Sequence, residues 1–362
     1  MRPIRLRPGS LPPAEALGAV LVRDVVIGGE RWAKGRRLSA ADLSRIAEPG
    51  IALDLGRRGG ETGAAPGFTA LVLEPDEVHE DAAAIRLAEA VAGSGLRLRG
   101  PSESRIDLLA EARGVLRVRS AMLERLDRID PLAVFTLYDG QVVERGELVA
   151  SVKIGPHAVP EATLVRGLRL AAKAGPLVWV APFQPRRVAV LVKESLRPLE
   201  RERFERGIAG RVEWLGSSLE AVRYVEDDAA AVERSLGALV RGPQRADLVL
   251  TAGAASTDPT DALFVALERL GGRVVRHGVP AHPGSMVWLA RVRSTDLLGL
   301  PSCGAYARAT AADLLLPRLL SGERVSAKMA ASLGHGGVLV RAMRFRFPPY
   351  ARQQEAGRRA AR

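Results

Sequence analysis

The sequence predicts an α/β protein, with a three-layer, mostly parallel sheet on the C-terminal side and a β-rich α+β region before it. Three observations carry that expectation. From Arg186 onward, short apolar runs alternate with helical stretches, the pattern of repeated β-α units. Within that region residues 246–272 read ADLVLTAGAASTDPTDALFVALERLGG, a strand, a small-residue loop and a helix in succession. Before Arg186, β-prone runs broken by Gly and Pro prevail.

In chain order, AVLVRDVVI ends a β-prone run at Ile27, and residues 38–43 look like a capped short helix. RRGGETGAAP (57–66) reads as a turn-rich linker, and 68–73 as a strand. A helix is expected over 77–92 and another over 106–112. Residues 132–138 and 141–143 flank Asp139-Gly140, a hairpin signal. A strand over 147–154 and a helix over 160–173 come next. Three prolines punctuate 176–185, and a domain boundary is placed at the end of that stretch. Beyond it, strands are expected at 188–192, 221–225, 247–251, 273–277, 286–290 and 297–300. The helices between and after them are expected at 201–214, 227–240, 258–270 and 307–320. The organisation is thus an N-terminal β-rich region over 1–185, an α/β domain over 186–325 and a basic, partly disordered tail over 326–362.

Composition narrows the function. An apolar fraction of 47% over 362 residues is ample for packed cores. The single cysteine, Cys303, rules out an internal disulfide framework and fits a reducing compartment. The N-terminal MRPIRLRPGS lacks the apolar core of a secretory signal, and no apolar run is long enough to span a membrane. A soluble cytoplasmic protein without a membrane partner is expected. The net charge of +12 favours acidic partners, either nucleic acid or anionic small molecules. The arginines are scattered and not interleaved with aromatics, which argues against nucleic acid.

In a parallel sheet, ligands bind beyond the carboxyl ends of the strands. Three loops would gather there: 252–261, 282–285 and 301–304. In the first, Asp258 suits a helix N-cap, Pro259 the first helical position and Asp261 the first turn. Small residues and a helix N-terminus would let a phosphate approach backbone N–H groups, and a carboxylate pair there would suit magnesium. On local sequence alone, the same two aspartates are better accounted for as a cap and a dipole partner. Cys303 is either a small hydrophobe or a thiol acidified by the helix downstream. Asp227-Asp228 reads as a helix cap, and five histidines without metal spacing make zinc improbable.

Taken in order, TAGAASTDPTD, HGVPAHPGSM and GLPSCGAYARATAADLLLPRLLSGE resemble the molybdopterin-binding proteins of molybdenum-cofactor biosynthesis. The corresponding stretches of the molybdopterin molybdotransferase branch read like T-S-G-G-x-S-x-G-D-x-D, H-G-x-x-x-K-P-G-K-P and G-L-P-G-N-P. The likeness covers residues 186–322. It implies a pterin site formed by Thr251, Gly253, Ser256, His282, Gly284, Ser285, Pro301, Ser302 and Cys303. It also implies a magnesium-linked role for Asp261, with Asp258 beside the family's first acidic position, which is Pro259 here. The chain departs from the pattern where the two lysines become His282 and Ser285 and where G-N-P becomes Ser302-Cys303-Gly304. After the first strand, Lys193-Glu194-Ser195-Leu196 lacks the usual glycine. The function that the resemblance implies is molybdenum-cofactor biosynthesis or handling by a homo-oligomer that binds molybdopterin or its adenylylated form. Two versions stand open. One is a transferase that inserts molybdate with magnesium. The other is a non-catalytic carrier or insertion chaperone serving a molybdoenzyme apoprotein.

Overall fold

The computed structural model describes residues 1–55, 67–102, 104–301 and 309–352. The expected linker at 57–66 and the loop residues Ser302 and Cys303 lie outside the described residues. The chain divides into two compact units. One comprises Met1–Glu111, Val118–Leu137 and Gly146–Trp179, and the other Ala112–Arg117, Tyr138–Arg145 and Val180–Arg362.

The first unit is β-rich, with helices packed on its sheets. Strands Arg2–Leu6, Phe68–Val72 and Val20–Leu21 form one small sheet, and Glu30–Trp32, Val25–Ile27 and Leu53–Asp54 another. The short helix appears at Ala40–Ile46, opened by a reciprocal cap between Ser39 and Asp42. Helices Glu80–Val91 and Glu161–Ala174 match the expected periodicity.

Two expectations for this half need correction. Residues 106–112 are not helical. Arg105–Ala110 is an interior strand between Leu148–Ile154 and Leu96–Ser102. It is buried on both faces, so it lacks the alternation that marks a strand, and its Asp107 is satisfied by Ser151 and Arg99 from neighbouring strands. The runs beside Asp139-Gly140 do not pair with each other either. Leu132–Thr136 pairs with Leu148–Ile154, whereas Val142–Val143 pairs with Gly114–Val118. Asp139-Gly140 still turns the chain, with Gly140 at φ 82° donating its N–H to Leu116 O at 2.8 Å.

The second unit carries the α/β architecture. Its six strands lie in the order Ser218–Tyr224, Arg187–Val192, Leu248–Ala252, Thr295–Gly299, Trp288–Val292, Arg273–His277. The first four run parallel and the last two antiparallel to their neighbours, giving the mostly parallel sheet expected. Side chains alternate between two cores. Val188, Val190 and Val192 face helices Pro198–Trp214 and Ala311–Leu320, while Ala189 and Leu191 face helices Ala229–Val240 and Ala262–Arg269. Three layers result.

Of the basic, partly disordered tail expected over 326–362, residues 326–352 are folded, and 353–362 lie outside the described residues. Helix Ala327–Ala331 and a 3-10 turn, Arg341–Arg346, put Met329, Leu333, Leu339, Phe347 and Tyr350 into the first of these cores. Arg346 is buried there because the carbonyls of Gly336 and His335 accept from its guanidinium. Among the described residues, no helix is long and apolar enough to cross a membrane.

Candidate functional site

The carboxyl rim of the parallel strands gathers the loops that come after Val192, Tyr224, Ala252 and Gly299. Because Trp288–Val292 runs antiparallel, its start also lies at this rim, with Trp288 opposite Gly299. Gly299 makes room for the indole: a Cβ there would sit 2.1 Å from Trp288 Nε1. Phe264 packs edge-on to Trp288 at 5.1 Å.

Between these loops is a cleft of about 440 Å³, lined by Ala254, Ala255, Ser256, Thr257, Met286, Trp288, Leu300 and Pro301. Its size falls within the usual span of small-molecule sites. One wall is a small-residue loop with two hydroxyls, and the other is apolar.

Of the residues expected to bind ligand, Ser256 and Pro301 line this cleft. The other described ones are placed differently. Thr251 is fully buried in its strand, and its hydroxyl has no hydrogen-bond partner among the described residues. Gly253, at φ 89°, faces the backbone of the first rim loop: a Cβ would meet Glu194 Cγ at 2.6 Å. Gly284, at φ 104°, packs on the start of helix Ala311–Leu320, where a Cβ would lie 2.6 Å from Ala311 N. His282 is exposed and ties its backbone to Gly337 and Leu339. The Ser285 carbonyl accepts from Val279 N–H at 2.9 Å.

The helix after the small-residue loop begins later than expected. Asp258 does not cap it. Its carboxylate accepts from Thr260 N and Oγ1, at 2.8 and 2.7 Å, and these bonds hold its pKa below the ordinary value. The cap is Asp261, and the helix runs Ala262–Arg269. Asp261 Oδ1 accepts from Leu263 N–H at 2.9 Å, and Oδ2 from Ala255 N–H at 2.7 Å and Lys193 Nζ at 2.8 Å. The helix-start amide expected to meet phosphate therefore meets this carboxylate instead.

Lys193 and Asp227 were not among the residues the sequence singled out for the site. Lys193 Nζ also donates to Asp227 Oδ1 at 2.7 Å, while Asp228 caps helix Ala229–Val240. Burial lowers the pKa of Lys193, but hydrogen bonds to Asp227 and Asp261 outweigh it and hold the ammonium above its ordinary value. The signal available in the sequence was a lysine ending an apolar strand in the loop that departs from the resembled pattern.

A magnesium ion does not fit at Asp261. Both of its oxygens are engaged by N–H donors, one of them a buried ammonium, and magnesium requires oxygen ligands in near-octahedral array. Among the described residues, no group of three or more His, Cys, Asp or Glu side chains is placed to hold a metal.

Compared with known families, residues 193–321 match the model described as a probable molybdopterin binding domain. Across that span the chain is similar to the molybdopterin-binding family. The matched span begins at Lys193 and includes every residue lining the cleft. A molybdopterin biosynthesis moea protein from Pyrococcus horikosii matches at 14% identity over 67% of this chain and 79% of its own, with a TM-score of 0.29. A NadC deletion mutant matches at 14% identity over 52% of this chain and 80% of its own, with a TM-score of 0.16. At such TM-scores neither likeness bears on function. A comparison with curated proteins gives no match.

Proposed function

We propose that this protein binds molybdopterin, in the free or adenylylated form, in the rim cleft and serves molybdenum-cofactor handling as a carrier or insertion chaperone. The observation that supports this reading most is the cleft itself, which lies wholly within the span matching the molybdopterin-binding model. A flat heterocycle suits its apolar wall of Met286, Trp288, Leu300 and Pro301, and the hydroxyls of Ser256 and Thr257 suit polar ligand edges. The net charge of +12 favours an anionic ligand.

The carrier version is favoured over magnesium-dependent molybdate insertion by the state of Asp261, whose oxygens are already committed to Lys193, Ala255 and Leu263. Binding of an oxidised, fluorescent molybdopterin is the test. Saturable binding without release of AMP from the adenylylated form is expected. Magnesium-dependent AMP release by the wild type would return the balance to the transferase.

A further inference from the structure

Three neighbouring rim loops meet at one nitrogen. Lys193 comes directly after strand Arg187–Val192, Asp227 lies beyond strand Ser218–Tyr224, and Asp261 beyond strand Leu248–Ala252. These strands are adjacent in the sheet. Lys193 Nζ stands 2.7 Å from Asp227 Oδ1 and 2.8 Å from Asp261 Oδ2. The Lys193 side chain is 5% exposed and that of Asp261 1%. An ammonium is thus buried where a divalent cation would have to contact Asp261. A metal could enter only by expelling that ammonium or by standing beside its positive charge.

We propose that Lys193 is the resident cation of this rim, holding the loops of Lys193, Asp227 and Asp261 together in place of a divalent metal ion. The connection to the cleft is direct. Asp261 Oδ2, which accepts from Lys193, also accepts from Ala255 N–H, and Ala255 lines the cleft. The ammonium therefore fixes the small-residue wall through one shared oxygen. Asp227 is largely solvent-exposed, so it closes the outer side of the clamp while Asp261 forms the inner side. The inference deepens the proposed ligand site only in making that site independent of metal, and the clamp is testable without any ligand.

The test uses the full chain without ligand. Manganese is added to wild type and the free-ion paramagnetic signal is monitored, and unfolding midpoints are compared in excess magnesium and in EDTA. An undiminished manganese signal and equal midpoints are expected. Stoichiometric loss of that signal, abolished in Asp261→Asn, would overturn the proposal. Amide hydrogen exchange at Ala255 is then compared between wild type and Lys193→Met, where about tenfold faster exchange is expected, equivalent to about 1.4 kcal/mol. Unchanged exchange would also overturn it. Should Lys193→Met fail to fold, Asp227→Asn supplies the same comparison with the inner pair intact: faster exchange at Ala255 supports the clamp and unchanged exchange counts against it. Pterin binding is measured separately, so its failure would remove the proposed ligand and leave the cation result standing.

Discussion

Replacing Asp261 with Asn separates the two roles that the sequence left open for this residue. As an N-cap, asparagine is nearly as good as aspartate, so Oδ1 can still accept from Leu263 N–H. The other position changes sign. An amide NH2 would replace Oδ2 and face two donors, Ala255 N–H and the Lys193 ammonium. Lys193 would keep only the exposed Asp227. Losing a buried charge-assisted hydrogen bond costs about 1.5–3 kcal/mol, and an orphaned amide adds about 1 kcal/mol or more. A loss of about 3 kcal/mol is expected, whereas a residue that only caps the helix or complements its dipole would lose at most about 1 kcal/mol. Urea unfolding with an unchanged m-value measures the difference. A double-mutant cycle with Lys193→Met should recover a coupling of about 2 kcal/mol. A loss below about 1 kcal/mol with no coupling would refute the clamp. Asp258→Asn is the control, with little change expected because its partners lie within an exposed turn.

Gly299→Ala should displace Trp288, whose indole occupies the space of the new methyl group, costing about 1–3 kcal/mol and shifting tryptophan fluorescence; an unchanged spectrum would contradict the packing. Gly253→Ala combines a positive φ with contact to Glu194 and should lose more than about 1 kcal/mol, so any binding defect there will accompany a stability loss rather than occur alone. Glu323 carries the acid-pH prediction. Burial raises its pKa, but Arg318 and Arg117 outweigh burial and leave it below 4.5. The Glu323 contribution is therefore present above pH 4.5 and lost as pH falls below it, so the stability gap between wild type and Glu323→Gln should narrow in acid. A gap that widens in acid would contradict that sign. Duplex DNA binding should be weak and fall steeply with salt, and a sequence-specific complex at physiological salt would contradict an anionic small-molecule ligand.

What was legible in the sequence was local. Short apolar runs bounded by turn signals, at 188–192 and 247–251, placed the central strands because both faces of each are buried in the two cores. What escaped was set across long separations. Lys193 meets partners 34 and 68 residues away, so no spacing rule connects them. Asp258-Pro259 is a strong local helix start, yet the helix is capped at Asp261 because Lys193 and Ala255 fix that carboxylate. Asp139-Gly140 makes its turn, but the strands beside it find better partners elsewhere. In 326–352 the arginines drew the reading away from irregularly spaced core residues, Met329 to Tyr350, and backbone carbonyls satisfy the buried Arg346.

In the proposed function, molybdopterin occupies the cleft between the 254–257 loop and Met286, Trp288, Leu300 and Pro301. The most direct test of that occupancy is titration of the fluorescent oxidised pterin into wild type and into Ser256→Trp, a change on the half-buried loop that fills the cleft. The expected result is saturable binding to wild type, unaltered by EDTA, and at least about tenfold weaker binding to an equally stable Ser256→Trp, equivalent to about 1.4 kcal/mol. Equal affinity in the two proteins, or no saturable binding to wild type, would contradict the account.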